Sequence, residues 1–242
     1  MPKKSSLSQS QQELSSENIQ DQLAKIKQNK LAAIRRAVKT IDQKTKRANT
    51  AFFLQDNPFD AIPKFSTDII QLDMILNGGI PAGRIIECFG NPSGGKTLLM
   101  LKCIAAAQRQ NKIAAFIDVE GTFDVDWCRK IGVNVDELVL CMPETAEQCF
   151  EVLTELINTE AVDFIVVDSI SALVTEQEFD NDIGKQSIGI LARFLSQELK
   201  KINSLCAKNK VTVAFINQIR DNIGMFVSSP VTTSGGKNLM CA

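Results

Sequence analysis

One stretch constrains this chain more than any other. Residues 90–97 read GNPSGGKT, directly after an apolar run at 84–89 and directly before a helical pattern at 97–110. The spacing G-x-x-x-x-G-K-T between a strand and a helix is the P-loop pattern. Its glycines let the backbone curl until successive N–H groups point inward, and the positive end of the following helix adds to the same anion cradle. Gly90, Asn91, Pro92, Ser93, Gly94, Gly95, Lys96, Thr97 and Leu98 are therefore read as a binding loop for the phosphates of ATP. In this pattern Lys96 reaches the β- and γ-phosphates, and the Thr97 hydroxyl ligates Mg2+.

The surrounding pattern is that of an α/β domain. Strands are expected at 113–119, 138–142, 164–168 and 211–216, and helices at 145–158 and 188–208. Thr145 and Gln148 form a capping box at the start of the first of these helices. The strand runs are apolar on both faces, as in strands covered by helices on each side. Strands alternating with helices imply a doubly wound, mostly parallel sheet. Ligands of such sheets bind beyond the carboxyl ends of the strands. Gly90, Glu120, Asp168 and Gln218 stand at those ends and are expected in a row along one edge. Asp168, closing the run FIVVD, is expected to hold Mg2+ through its water shell. Glu120 is placed to polarise an attacking water, and Gln218 to hydrogen-bond the γ-phosphate.

Composition narrows the remaining classes. The chain is 44% apolar and 23% charged, the balance of a soluble globular protein. It has seven cysteines, no CxxC pair and no histidine, which excludes any histidine-containing zinc site. Reduced, buried thiols in a cytoplasmic protein are the expectation. The opening MPKKSSLSQSQQ lacks the apolar stretch of a secretory signal. No run approaches the roughly 20 apolar residues that span a bilayer, so no membrane partner is expected.

Three regions follow. Residues 1–18 are rich in Ser and Gln and are expected to be a disordered polar tail. Residues 19–62 carry the stripe Ile19, Leu23, Ile26, Leu31, Ile34, Val38 and Ile41 at helical spacing. They read as an N-terminal helix and linker, either an oligomerisation arm or a helix folded back on its own domain. Residues 63–242 form the main domain. Charge is uneven: residues 1–50 hold eleven Lys and Arg against four acids, about +7, leaving about −8 on the remainder. A basic arm on an acidic body suits nucleic acid, or the body of a neighbouring copy. Near the end, residues 220–237 are rich in Gly, Ser and Thr and read as a long loop.

With these residues in view, several segments resemble the bacterial RecA recombinases. They are GRIIECFGNPSGGKT (83–97), AAFIDVEGTFD (114–124), VDFIVVDSISAL (162–173), IGILARFLSQELKK (188–201), FINQIRDNIG (215–224) and TTSGG (232–236). The resemblance implies a RecA-like ATPase core and a homo-oligomeric, ATP-dependent filament on single-stranded DNA. Such a filament performs homologous pairing and strand exchange with double-stranded DNA, in recombination, repair and the SOS response. It implies that Glu120 is the catalytic glutamate, with Asp168 and Ser169 on the magnesium side. Gln218 would couple the γ-phosphate to DNA, while Asp124 and Trp127 would contact adenine. The segment 184–190 resembles a first DNA loop with Ile188 as its apolar wedge. Arg193, Ser196 and Lys200 follow at spacings that share a helix face. A second DNA loop, 220–236, would use Arg220, Thr232, Thr233, Gly235 and Gly236 on the DNA backbone.

There are departures. Gly121 stands where the family has a histidine, and Asp221 and Asn222 stand where apolar and basic residues are usual. The family core also continues past the equivalent of Ala242, into further strands and paired lysines that reach a neighbour's ATP. A truncated or divergent member, or a phage-type one, is therefore the expectation. The alternative is a regulatory or inactive ATP- and DNA-binding piece with little hydrolysis.

Overall fold

A computed structural model describes residues 6–45, 50–56, 62–179, 189–221 and 231–233. Ile188, Gly235, Gly236 and Cys241 lie outside these residues, as do most of both expected DNA loops. The chain divides into two units, Met1–Ala61 and Ile62–Ala242.

In the first unit a single helix, α1, spans Ser6–Thr45. It begins well ahead of the expected start near Asn18, so residues 6–18 are helical rather than a disordered tail. Propagation onto an existing helix fixes one residue per added hydrogen bond, and no Gly or Pro interrupts residues 6–45. Leu23, Ile26, Leu31, Ile34 and Ile41 along the apolar stripe are exposed. A short 3-10 turn at Leu54–Asp56 follows. It is tied to α1 by Arg35, whose guanidinium stands 5.0 Å from the centre of the Phe53 ring. The Thr50 N–H also donates to the Asp42 carboxylate at 2.9 Å.

The second unit opens with a small antiparallel pair, β1 (Lys64–Phe65) and β2 (Ile80–Pro81), around the short helix α2 (Ile70–Ile75). Five parallel strands then form the main sheet: β3 (Ile85–Gly90), β4 (Ala114–Asp118), β5 (Leu138–Cys141), β6 (Phe164–Asp168) and β7 (Thr212–Asp221). Their spatial order is β3-β7-β6-β4-β5. The helices between them are α3 (Lys96–Arg109), α4 (Val125–Ile131), α5 (Ala146–Asn158), α6 (Glu176–Phe179) and α7 (Ile190–Asn209).

The sheet separates two apolar layers. On one face Ile165, Val167, Val213 and Phe215 pack with Leu153 and Ile157 of α5 and Leu195, Leu199 and Ile202 of α7. On the other, Phe116, Phe164, Val166, Ala214 and Ile216 pack with Met100 and Ile104 of α3 and Cys128 and Ile131 of α4. Strands β4 and β6 are buried at every residue, which is why their sequences are continuously apolar rather than alternating. Full burial of each Leu, Ile or Phe contributes about 1.5–3 kcal/mol, so these two layers are what hold the sheet and its helices together.

The loop expected at 220–237 is corrected at its ends. β7 runs on to Asp221 and pairs antiparallel with β8 (Val231–Thr233), with Arg220 opposite Thr232 and Ile219 opposite Thr233. Cross-strand pairing satisfies backbone groups that local composition alone would leave unpaired. All six described cysteines are free, and Cys103, Cys128, Cys149 and Cys206 are buried.

Candidate phosphate-binding site

The turn between β3 and α3 has the geometry its glycines require. Gly95 is the N-cap of α3 and adopts φ +79°, a left-handed conformation that costs other residues roughly 1–2 kcal/mol. Ser93 takes the same region at φ 59°. Helix α3 therefore points its uncapped N-terminal N–H groups at the loop, where an anion is favoured. Lys96 arches over this loop, its Nζ donating to the carbonyls of Gly90 at 3.2 Å and Asn91 at 2.8 Å. Opposite it, the Thr97 hydroxyl donates to Asp168 Oδ2 at 2.6 Å.

Parallel register brings the other strand ends to this edge. Gly90 of β3 is level with Gln218 of β7, and Asp118 of β4 with Asp168 of β6. A cleft of about 500 Å³ opens there, lined by loop residues 92–98 with Glu120, Trp127, Asp168, Ile216 and Gln218. Lys96, Thr97, Glu120, Asp168, Gln218 and Trp127 thus meet in one place, on the expected edge. Asp124 lies beside it, lining a small adjoining cavity with Thr97 and Trp127. It also caps α4, accepting the Trp127 N–H at 2.9 Å.

The carboxylates are held differently. Asp168 is buried, and desolvation pushes its carboxyl above the ordinary range, against the opposing pull of the Thr97 hydroxyl bond. Glu120 accepts from the buried Ser169 hydroxyl at 2.5 Å, and Ser169 in turn lies 2.6 Å from the Ser171 hydroxyl. The segment carrying Glu120 is fixed from below. The Asp168 carbonyl accepts the N–H groups of Val119 and Glu120. The Asp118 carboxylate accepts those of Gly121 and Phe123, both at 2.9 Å.

Sequence reading missed Asp118, Ser171, Asn217 and Glu87. The signal for Asp118 was present: a carboxylate ending a wholly apolar strand needs partners to be buried.

On helix α7 the expected face is only partly free. Arg193 and Lys200 are exposed, whereas Ser196 is half-buried and its hydroxyl donates to the Ala192 carbonyl at 2.7 Å. Of Arg220, Thr232 and Thr233 the backbone ladder is described.

A doubly wound parallel sheet with a glycine-rich strand-to-helix turn and carboxylates at its carboxyl edge defines an α/β protein of the phosphate-loop class. Comparison with known proteins narrows this. The family model for the RecA N-terminal domain matches residues 32–241. Among curated relatives, Protein RecA of Syntrophus aciditrophicus is 48% identical over 174 residues, 72% of this chain and 51% of the relative. Protein RecA of Chloroherpeton thalassium is 40% identical over 221 residues, 91% of this chain and 62% of the relative. Protein RecA of a Sulfurovum species is 44% identical over 212 residues, 87% of this chain and 61% of the relative. The chain belongs to the RecA family. It spans about half to three fifths of the length of these relatives. Among the described residues no helix is long and apolar enough to cross a membrane.

Proposed function

We propose that this chain binds ATP with Mg2+ at the cleft behind residues 90–97 and couples that binding to single-stranded DNA, as a filament-forming recombinase. The observation that carries the reading is the Thr97–Asp168 contact of 2.6 Å beneath the loop, with Glu120 and Gln218 in the same cleft.

The donor set suits magnesium. Mg2+ favours hard oxygen ligands and is usually held by one or two carboxylates together with substrate phosphates, not by an all-protein cage. Thr97 and Asp168 supply a hydroxyl and a carboxylate, and the described residues hold no cluster of three His, Cys, Asp or Glu side chains. Bound there, the ion neutralises phosphate charge. Lys96 exchanges its two loop carbonyls for phosphate oxygens. Glu120, oriented by Ser169 at one oxygen, keeps its other oxygen to accept a proton from water. Gln218 hydrogen-bonds the terminal phosphate, and Asp124 and Trp127 flank the base, the indole offering an aromatic face.

In this reading exposed Arg193 and Lys200, with Ser196 and Arg220, Thr232, Thr233, Gly235, Gly236 and Ile188, contact DNA. Contacts to its backbone would make binding independent of sequence and steeply salt-dependent. The basic helix α1 serves assembly of copies into a filament in the cytoplasm.

ATP turnover measured with and without single-stranded DNA tests the proposal. DNA-stimulated hydrolysis that is lost in Lys96→Ala supports it. Glu120→Gln should keep nucleotide binding while turnover falls by about 10²–10⁴-fold. Tight DNA and nucleotide binding with negligible wild-type turnover would instead favour a regulatory role. Failure to bind ATP at all would refute the site.

A further inference from the structure

β7 outruns the strand beside it. Its pairing with β6 ends at Val167 opposite Phe215, while its pairing with β3 continues to Gly90 opposite Gln218. Strand N–H groups alternate in direction. Thr212 donates to Asp163 on the β6 side, and Val213 to Arg84 on the β3 side. By that alternation the Gln218 N–H points toward β6, beyond the end of their ladder. A backbone donor at the floor of a cleft needs a partner. Asn217 supplies it: its side-chain oxygen accepts the Gln218 N–H at 2.9 Å.

Asn217 is itself fully buried, and its amide is oriented from the other side. Its Nδ2 donates to Glu87 Oε1 of β3 at 2.8 Å. The two residues share the sheet face that carries Val213 and Phe215, because side chains alternate along a strand. Gln218 projects from the opposite face, with Ile216, into the cleft. A hydrogen-bond chain therefore runs from Glu87 through Asn217 to the backbone of Gln218, whose side chain leaves from the opposite face.

We propose that Asn217, oriented by Glu87, is a positioning residue that sets where Gln218 meets the terminal phosphate. Its loss changes how well the site tells a triphosphate from a diphosphate. This rests on the nucleotide reading above. Asn217 never touches the nucleotide, and it lies on the sheet face of α5 and α7 rather than that of α3. The pair thus links events on the α7 face to the phosphate end of the cleft.

Calorimetric titration of the 242-residue chain with ADP and with the non-hydrolysable analogue AMP-PNP, both with Mg2+, tests this. Asn217→Ala should weaken AMP-PNP by about tenfold, the value of one hydrogen bond to a charged group, while ADP stays within about twofold. Glu87→Ala, on β3, should shift the ratio in the same direction. Glu87→Gln should restore it, since an amide oxygen accepts from Asn217 as a carboxylate does. Should Asn217→Ala fail to fold, the two Glu87 variants carry the test. The inference is overturned if the ratio is unchanged in the Ala variants, or if both nucleotides weaken together, which marks general loosening. It is overturned too if wild type binds the two nucleotides equally. If wild type binds neither, the nucleotide site itself is wrong.

Discussion

Asp118→Asn should unfold this protein far more readily than the same change at Asp124, although both carboxylates cap backbone N–H groups. Asp118 is 3% exposed and spends one oxygen on Gly121 and the other on Phe123. An asparagine there keeps one acceptor and turns an NH2 against the second N–H. That loses a charge-assisted bond of about 1.5–3 kcal/mol and strands a buried donor at about 1–3 kcal/mol. The total is about 2.5–6 kcal/mol. With a urea slope of about 2–3 kcal/mol per molar for a chain of this size, the midpoint falls by more than about 1 M. Asp124 is exposed and uses a single oxygen on the Trp127 N–H. Asparagine is an equally good N-cap, so its change should stay within about 0.5 kcal/mol. Urea titrations followed by far-ultraviolet circular dichroism measure both. Equal midpoints for the two variants would refute the claim that Asp118 is the support beneath Glu120.

Three further outcomes are expected. Asp168→Asn should raise the melting temperature of the nucleotide-free protein while abolishing Mg2+-dependent nucleotide binding. Burial raises the folded carboxyl above its unfolded value, so the charged form weakens the fold. The advantage of the variant should therefore grow as pH rises from about 4 through that raised value, then level off; melting scans of both proteins across pH read it directly. Gly95→Ala meets no atom within 4 Å of the added carbon, so only the positive φ opposes it, and the loss of stability by urea titration should be about 1–2 kcal/mol. The thiols of Cys103, Cys149 and Cys206 are pushed up to about 12 by burial. They should resist iodoacetamide at neutral pH in the native protein and react once it is unfolded, as mass spectrometry would count.

What the sequence disclosed depended on whether the chemistry is local. Lys96, Thr97 and the loop glycines were readable because one short turn must place all of them, and each residue type has a single physical job there. Asp168 was readable because it closes an apolar run at the carboxyl edge of a parallel sheet; Glu120 and Gln218 reach that same edge although β4 closes earlier, at Asp118, and β7 runs on to Asp221. Glu87 and Asn217 were not. They lie 130 residues apart and meet only through the β3–β7 register, which no window of sequence contains. Helix α4 was also passed over, since its seven residues are too few for a helical period to stand out from alternation. The strand character of residues 217–221 was hidden for a related reason: β3 pairs with Asn217 and Gln218 and β8 with Ile219–Asp221, and pairing outweighs local propensity.

The strand that leads into the phosphate loop is the first of the five to be synthesised, and its only described neighbour in the main sheet, β7, is the last. A nascent chain that has emerged only as far as α7 can assemble β4, β5 and β6 side by side, yet β3 waits beside no one. Such distant closure makes for slow assembly and leaves an apolar edge open to stray pairing in the interval. The turn that carries the phosphate loop therefore gains its sheet support from β7 only once residues 212–221 have been made. A ribosome stalled before residue 212 would hold β4, β5 and β6 as a three-stranded sheet, with the strand before the phosphate loop still apart from it.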